Sequence, residues 1–200
     1  GNERGQSGRH AAARTTVPSG VELVGAARSI AVGGFHSCVL DQAGAAHCWG
    51  ENREGQLGGG SAGSAGAMMR VQGPRFAMLS TGLSHTCGIT TSRSAYCWGS
   101  NGDGQLGDGT GDSRPEAVRV QTREPLVSVA AGWTHSCALT SDGEALCWGA
   151  NARGQLGDGN ITARRVPVFV SGDLRFTSLA AGGAHSCALT ENGAAFCWGQ

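Results

Sequence analysis

Four histidines, His36, His85, His135 and His185, each stand two residues before a cysteine, and ten residues later a second cysteine follows. The cysteine pairs are Cys38 and Cys48, Cys87 and Cys97, Cys137 and Cys147, and Cys187 and Cys197. Three chemistries use these residue types. Two thiolates and an imidazole suit zinc. A serine near a histidine suits nucleophilic hydrolysis. An even number of cysteines at fixed spacing suits a disulfide framework.

The first two chemistries fit poorly. His135, Cys137 and Cys147 would share one face of a sheet, yet no Cys-x-x-Cys knuckle is present and four identical metal sites would be unusual. No metal and no cofactor are therefore expected. Ser37, Ser136 and Ser186 adjoin the histidines, but neighbours along a strand face opposite sides, so adjacent residues cannot form a dyad. Each histidine is expected to be a buried imidazole bonding backbone groups of its own repeat. For the cysteines, the length of the intervening turn decides. A three-residue loop centred on Asp142 sets Cys137 directly opposite Cys147, with Cα atoms ~4.5–5.5 Å apart, inside the disulfide range. A two-residue Asp-Gly turn would set Cys137 against Trp148 instead. One disulfide per repeat is the favoured reading; reduced thiols serving as small core residues are the alternative. Disulfides imply an extracytoplasmic location (secreted, periplasmic or cell-surface), with the cytoplasm as the alternative.

The elements that position these groups recur along the chain. Gly-x-x-His-Ser/Thr-Cys begins at Gly33, Gly82, Gly132 and Gly182, at periods of 49, 50 and 50 residues. Cys-Trp-Gly closes each unit at Trp49, Trp98, Trp148 and Trp198, and Asn52, Asn101 and Asn151 lead into Gly-Gln-Leu-Gly. Periods of this length mark propeller blades or solenoids, in which each unit buries its face on the next. The array divides at approximately 1–50, 51–99, 100–149 and 150–200. The chain opens and closes at the same phase of the repeat, so a piece of a longer array is expected, monomeric as a whole and unstable by itself. Residues present in every copy are expected to hold the units together, with the four repeated tryptophans packed between blades.

The third repeat gives the strands. Leu126 to Ala131, His135 to Thr140, Glu144 to Trp148 and Val166 to Val170 read as four short antiparallel strands, with Ser141-Asp142-Gly143 as the hairpin turn. The fold class is all-β, in β-propeller blades of four antiparallel strands. Gly44 and Gly193 stand at the Gly143 position, but the second repeat has Arg93 there. A side chain at such a positive-φ site costs on the order of 1 kcal/mol, which makes that hairpin the loosest. Helices are unsupported, apart from a possible helical turn within Ser61 to Met69.

Lys+Arg and Asp+Glu are both 15, and the arginines lie scattered beside acids. Nucleic acid is therefore not an expected partner. No apolar stretch approaches the ~20 residues needed to span a bilayer. Gly102-x-Gly104-x-x-Gly107 matches a dinucleotide fingerprint by letters but lacks the helix that must follow. Asp108, Thr110 and Asp112 imitate a calcium loop, which turn chemistry explains more simply. The segments Gly59 to Gln72, Asp108 to Arg123 and Asp158 to Asp173 vary between copies and are read as loops suited to recognition. Trp133 departs from the repeat, with Phe35, Ser84 and Ala184 taken as its counterparts, and is a candidate partner-contact residue.

The combined pattern Gly-x-x-His-Ser-Cys-Ala-Leu, Asp/Asn-Gly, Cys-Trp-Gly-x-Asn-x-x-Gly-Gln-Leu-Gly-Asp-Gly resembles the repeat of the regulator of chromosome condensation family. The resemblance implies a seven-bladed β-propeller, of which this chain holds four blades. It also brings the family's founding activity, guanine nucleotide exchange on a small GTPase, as the alternative function. That activity needs a wedge-like insertion that no repeat here is long enough to hold. The cysteine pairs resemble the family's bacterial, exported branch, whose members serve as binding scaffolds. The expected function is thus a non-enzymatic scaffold presenting loops to a protein or glycan. The sequence names no partner.

Overall fold

The computed structural model describes residues 2–8, 17, 18, 20–23, 25–63 and 67–200. Among the described residues fifteen strands form four antiparallel sheets. The first holds β1 (Ala27–Val32), β2 (His36–Asp41), β3 (Ala46–Gly50) and β4 (Met69–Arg70). The second holds β5 (Phe76–Thr81), β6 (His85–Thr90), β7 (Ala95–Gly99) and β8 (Arg114–Arg119). The third holds β9 (Leu126–Ala131), β10 (His135–Thr140), β11 (Ala145–Gly149) and β12 (Arg164–Phe169). The fourth has three strands, β13 (Phe176–Ala181), β14 (His185–Thr190) and β15 (Ala195–Gly199). Strands pair in chain order within every sheet. The first strands, β1, β5, β9 and β13, neighbour one another across the sheets, which places them innermost in a β-propeller arrangement.

The hairpins explain the register. Thr140 N donates to Glu144 O and Gly143 N to Thr140 O, leaving the three-residue loop Ser141-Asp142-Gly143, with Gly143 at φ +81°. Because Thr140 and Glu144 form a hydrogen-bonded pair, the alternation along the ladder makes Cys137 and Cys147 a close, non-hydrogen-bonded pair. They face each other at a Cα separation of 4.0 Å and are joined as a disulfide. Cys38–Cys48, Cys87–Cys97 and Cys187–Cys197 repeat this geometry at 4.1 Å. Arg93 takes the glycine position of the second hairpin at φ 61°, the one positive-φ residue other than glycine among the described residues.

Two local expectations fail. The described part of Ser61 to Met69 holds no helix: Gly63 bridges Asn52 and Met69 opens β4, while residues 64–66 lie outside the described set. Two of the variable segments are not loops throughout, because they contain β4 and β8, while the third holds β12 where a strand from Val166 is expected. These outermost strands carry Arg114 and Pro115, or Arg164, Arg165 and Pro167. Proline and charge are how exposed sheet edges resist further pairing, and that chemistry reads as loop in a sequence.

Candidate binding face

The repeated side chains meet between the sheets. His36 Nε2 lies 2.7 Å from Thr86 Oγ1, His85 Nε2 2.9 Å from Ser136 Oγ, and His135 Nε2 2.9 Å from Ser186 Oγ. In each case the partner belongs to the following blade. The expectation of backbone bonds within the same repeat is therefore corrected: the strand face carrying histidine and cysteine looks across the junction. Each hydroxyl donates its proton to a glutamine carbonyl of the preceding loop, at 3.2 Å (Gln56), 2.9 Å (Gln105) and 3.0 Å (Gln155). A carbonyl only accepts and a hydroxyl has one proton, so the hydroxyl must accept from the histidine. This fixes the proton on Nε2 and leaves Nδ1 bare. The Nδ1 atoms of all three histidines have no hydrogen-bond partner.

The same carbonyls anchor the indoles. Trp98 Nε1 donates to Gln56 O at 2.9 Å, Trp148 to Gln105 O at 2.8 Å and Trp49 to Gln6 O at 3.0 Å. The leucines of Gly-Gln-Leu-Gly, Leu57, Leu106 and Leu156, are each buried with the disulfide of their own blade and with Trp98, Trp148 and Trp198 of the next. Gly132 allows the close approach at the inner end. A Cβ there would lie 2.3 Å from His135 Cε1 and 2.6 Å from Gly182 O.

A serine and a histidine therefore do touch, although 51 residues apart rather than adjacent. The direction of the bond is wrong for hydrolysis. A general base would use an Nε2 lone pair to take the serine proton, whereas here Nε2 donates. Burial pushes the pKa of His36 and His135 down to about 4 and that of His85 to about 3, His85 being lowered further by its histidine neighbours on either side. These imidazoles are neutral and structural. The Asp108 carboxylate accepts from Asn101, Thr110 and Arg114. Burial would raise its pKa, but these hydrogen bonds outweigh that and hold it below the ordinary range. Asp158 repeats the arrangement with Asn151 and Arg164. Among the described residues no group of three His, Cys, Asp or Glu side chains is placed to hold a metal. Gly102 to Gly107 is turn and loop between β7 and β8, with no helix after it.

Trp133 and Leu83, which break the repeat, lie on one end. Tracing the antiparallel strands, the first-to-second-strand loops (33–35, 82–84, 132–134 and 182–184) and the third-to-fourth-strand loops (51–63, 100–113 and 150–163, with 67 and 68) open on the same face. The hairpins open on the other. Trp133 stands at the centre of this face and is 61% exposed. Counting from the shared glycine, its counterparts are Gly34, Leu83 and Gly183 rather than Phe35, Ser84 and Ala184. Leu83 shares this face and was missed; the legible signal was the variable first residue of Gly-x-x-His. Thr86 and the glutamines were also missed as junction groups, although their fixed spacing marked them.

Family models described as the regulator of chromosome condensation (RCC1) repeat match residues 27–56, 79–105 and 126–155, and residues 94–139 and 142–189. The chain belongs to the regulator of chromosome condensation repeat family. Solved structures agree on the fold of this family member. Human WBSCR16 superposes over 100% of this chain and 55% of its own, at 21% identity and a TM-score of 0.88. Yeast RCC1 (Prp20), solved bound to Kap60, covers 92% of this chain and 45% of its own at 25% identity and a TM-score of 0.79. The ectodomain of the receptor kinase CR4 from Physcomitrella patens covers 92% and 44% at 25% identity and a TM-score of 0.62. This RCC1-repeat chain thus spans about half the length of the solved relatives it matches. A comparison with curated protein sequences finds no match.

Proposed function

We propose that this chain is part of a non-catalytic propeller scaffold, exported to an oxidising compartment, that recognises a protein through the face bearing Trp133. The observation that carries this reading is the segregation of residues. Repeated side chains such as His85 and Trp98 meet at the blade junctions, while Trp133 and the variable second halves of the third-to-fourth-strand loops, beyond Gly-Gln-Leu-Gly, lie on one face. Variable loops on a rigid frame are the usual seat of recognition, and an exposed tryptophan is a common anchor. Four disulfides suit export. Yeast RCC1 bound to Kap60, and the work on binding of Prp20p to Gsp1p and histones, supply precedent for protein partners in the family.

The second reading, nucleotide exchange on a small GTPase, is favoured by the same two structures. A nucleotide-release assay separates the two: the scaffold reading expects no acceleration of release, and acceleration overturns it. Partner capture from the secreted fraction of the source cells, followed by affinity measurement with loop variants, tests the scaffold reading directly.

A further inference from the structure

At the inner end of the recognition face the four first-to-second-strand loops surround an open cavity of about 300 Å³. Its side-chain lining is Val32, Thr81, Leu83, Ala131, Trp133 and Ala181, and the rest is glycine. Among the described residues no charged side chain lines it, so it offers no ion-pair partner. The Trp133 ring lies flat on the next blade: a Cβ added to Gly183 would come within 3.1 Å of its ring atoms. Leu83 lies over Gly34 in the same way on the other side, 2.6 Å from a Cβ added there. Two large side chains rest on glycine beds, and the outer surface of the indole stays open.

The backbone around the cavity is unevenly paired. Gly34 N donates to Gly82 O at 3.0 Å, and Trp133 N to Gly182 O at 3.3 Å. At the middle junction, among the described residues, no such bond joins Leu83 to Gly132. One N–H donor and one C=O acceptor are thus left at the wall between Leu83 and Trp133, and backbone groups of this kind need a partner. A peptide unit offers the complement, a carbonyl for Leu83 and an amide for Gly132, as in strand-like recognition. A saccharide presents hydroxyls all around its ring and would need more polar partners than the single side-chain hydroxyl, Thr81.

We infer that the axial mouth seats an uncharged, extended segment of a partner protein, with an aliphatic side chain laid on the Trp133 indole. This rests on the scaffold reading above and names the chemistry of the segment it takes. The test is an NMR titration of the ¹⁵N-labelled protein with N-acetyl-leucine N-methylamide. Saturable shifts confined to the Trp133 indole N–H and the Leu83 amide are expected. Trp133→Ala should weaken binding by roughly 30-fold or more, as for a truncated hot-spot tryptophan. Gly183→Ala, which lifts the indole from its bed while keeping it, should also weaken the response. Absence of these shifts, or an undiminished Leu83 shift in Trp133→Ala, overturns the inference. So does methyl β-D-glucopyranoside moving the same signals more strongly. If the inference fails while loop variants still alter affinity for a captured partner, the scaffold reading stands without it. If neither responds, that reading falls as well.

Discussion

The hexapeptide His-Ser-Cys-Ala-Leu-Thr occurs twice, at 135–140 and at 185–190, with opposite surroundings. In β10 all six residues are buried; in β14 His185 and Leu189 are exposed. Leu139 is 3% exposed and Leu189 44%. The identical sequence makes the same strand, the same hairpin and the same disulfide register. What differs is the neighbour. The third blade is covered by the fourth, which brings Ser186 to His135 and to the Cys137 sulfur; among the described residues no sheet covers the histidine face of the fourth. Local sequence sets the strand, and the next blade sets burial and the partner of the histidine.

The largest expected effect is on acid stability. His36, His85 and His135 stay neutral in the folded chain down to about pH 3 to 4, whereas an unfolded chain takes up those protons near pH 6.5. The unfolded state then binds more protons, so stability is fully present above pH 6.5 and falls as pH drops toward 4. The slope approaches about 1.4 kcal/mol per pH unit for each histidine. Urea midpoints between pH 7.5 and 4.5 measure it, and a flat profile would break the contrast between covered and uncovered faces.

Next in size is the tryptophan pair. Trp148→Ala empties a closed junction and should cost about 3–5 kcal/mol. Trp198→Ala, on the partly exposed fourth blade, should cost clearly less by the same denaturation assay. Equal losses would mean that the next blade adds nothing. The smallest effect concerns a single turn: Arg93→Gly relieves the φ 61° position and should stabilise by up to about 1 kcal/mol. Gly143→Ala, at φ +81°, should do the reverse.

Much of the fold was legible because it is local. Asp142-Gly143 marks the hairpin, and the ten-residue cysteine spacing favours the register in which Cys137 faces Cys147. The partners of His85 were not legible, because Ser136 lies a full repeat away and only the stacking of blades brings it near. Trp133 was matched to the wrong counterparts, since the repeat must be counted from Gly132 and not by residue type. The strand at 114–119 was hidden by the proline and arginine that protect its edge, whereas its counterpart at 164–169 was legible from Val166 onward. The face bearing Trp133 was legible only in fragments, because the sequence does not say which loops share an end of the sheets.

The central claim is that repeated residues hold the ring and non-repeated ones recognise. Trp133 and His135 stand two residues apart and test it together. With a partner in hand, melting temperature and partner affinity are measured for Trp133→Ala and His135→Ala. The account predicts that Trp133→Ala loses affinity at a nearly unchanged melting temperature, while His135→Ala lowers the melting temperature by several degrees. A Trp133→Ala variant that binds normally, or a His135→Ala variant of undiminished stability that loses a turnover rate, would contradict it.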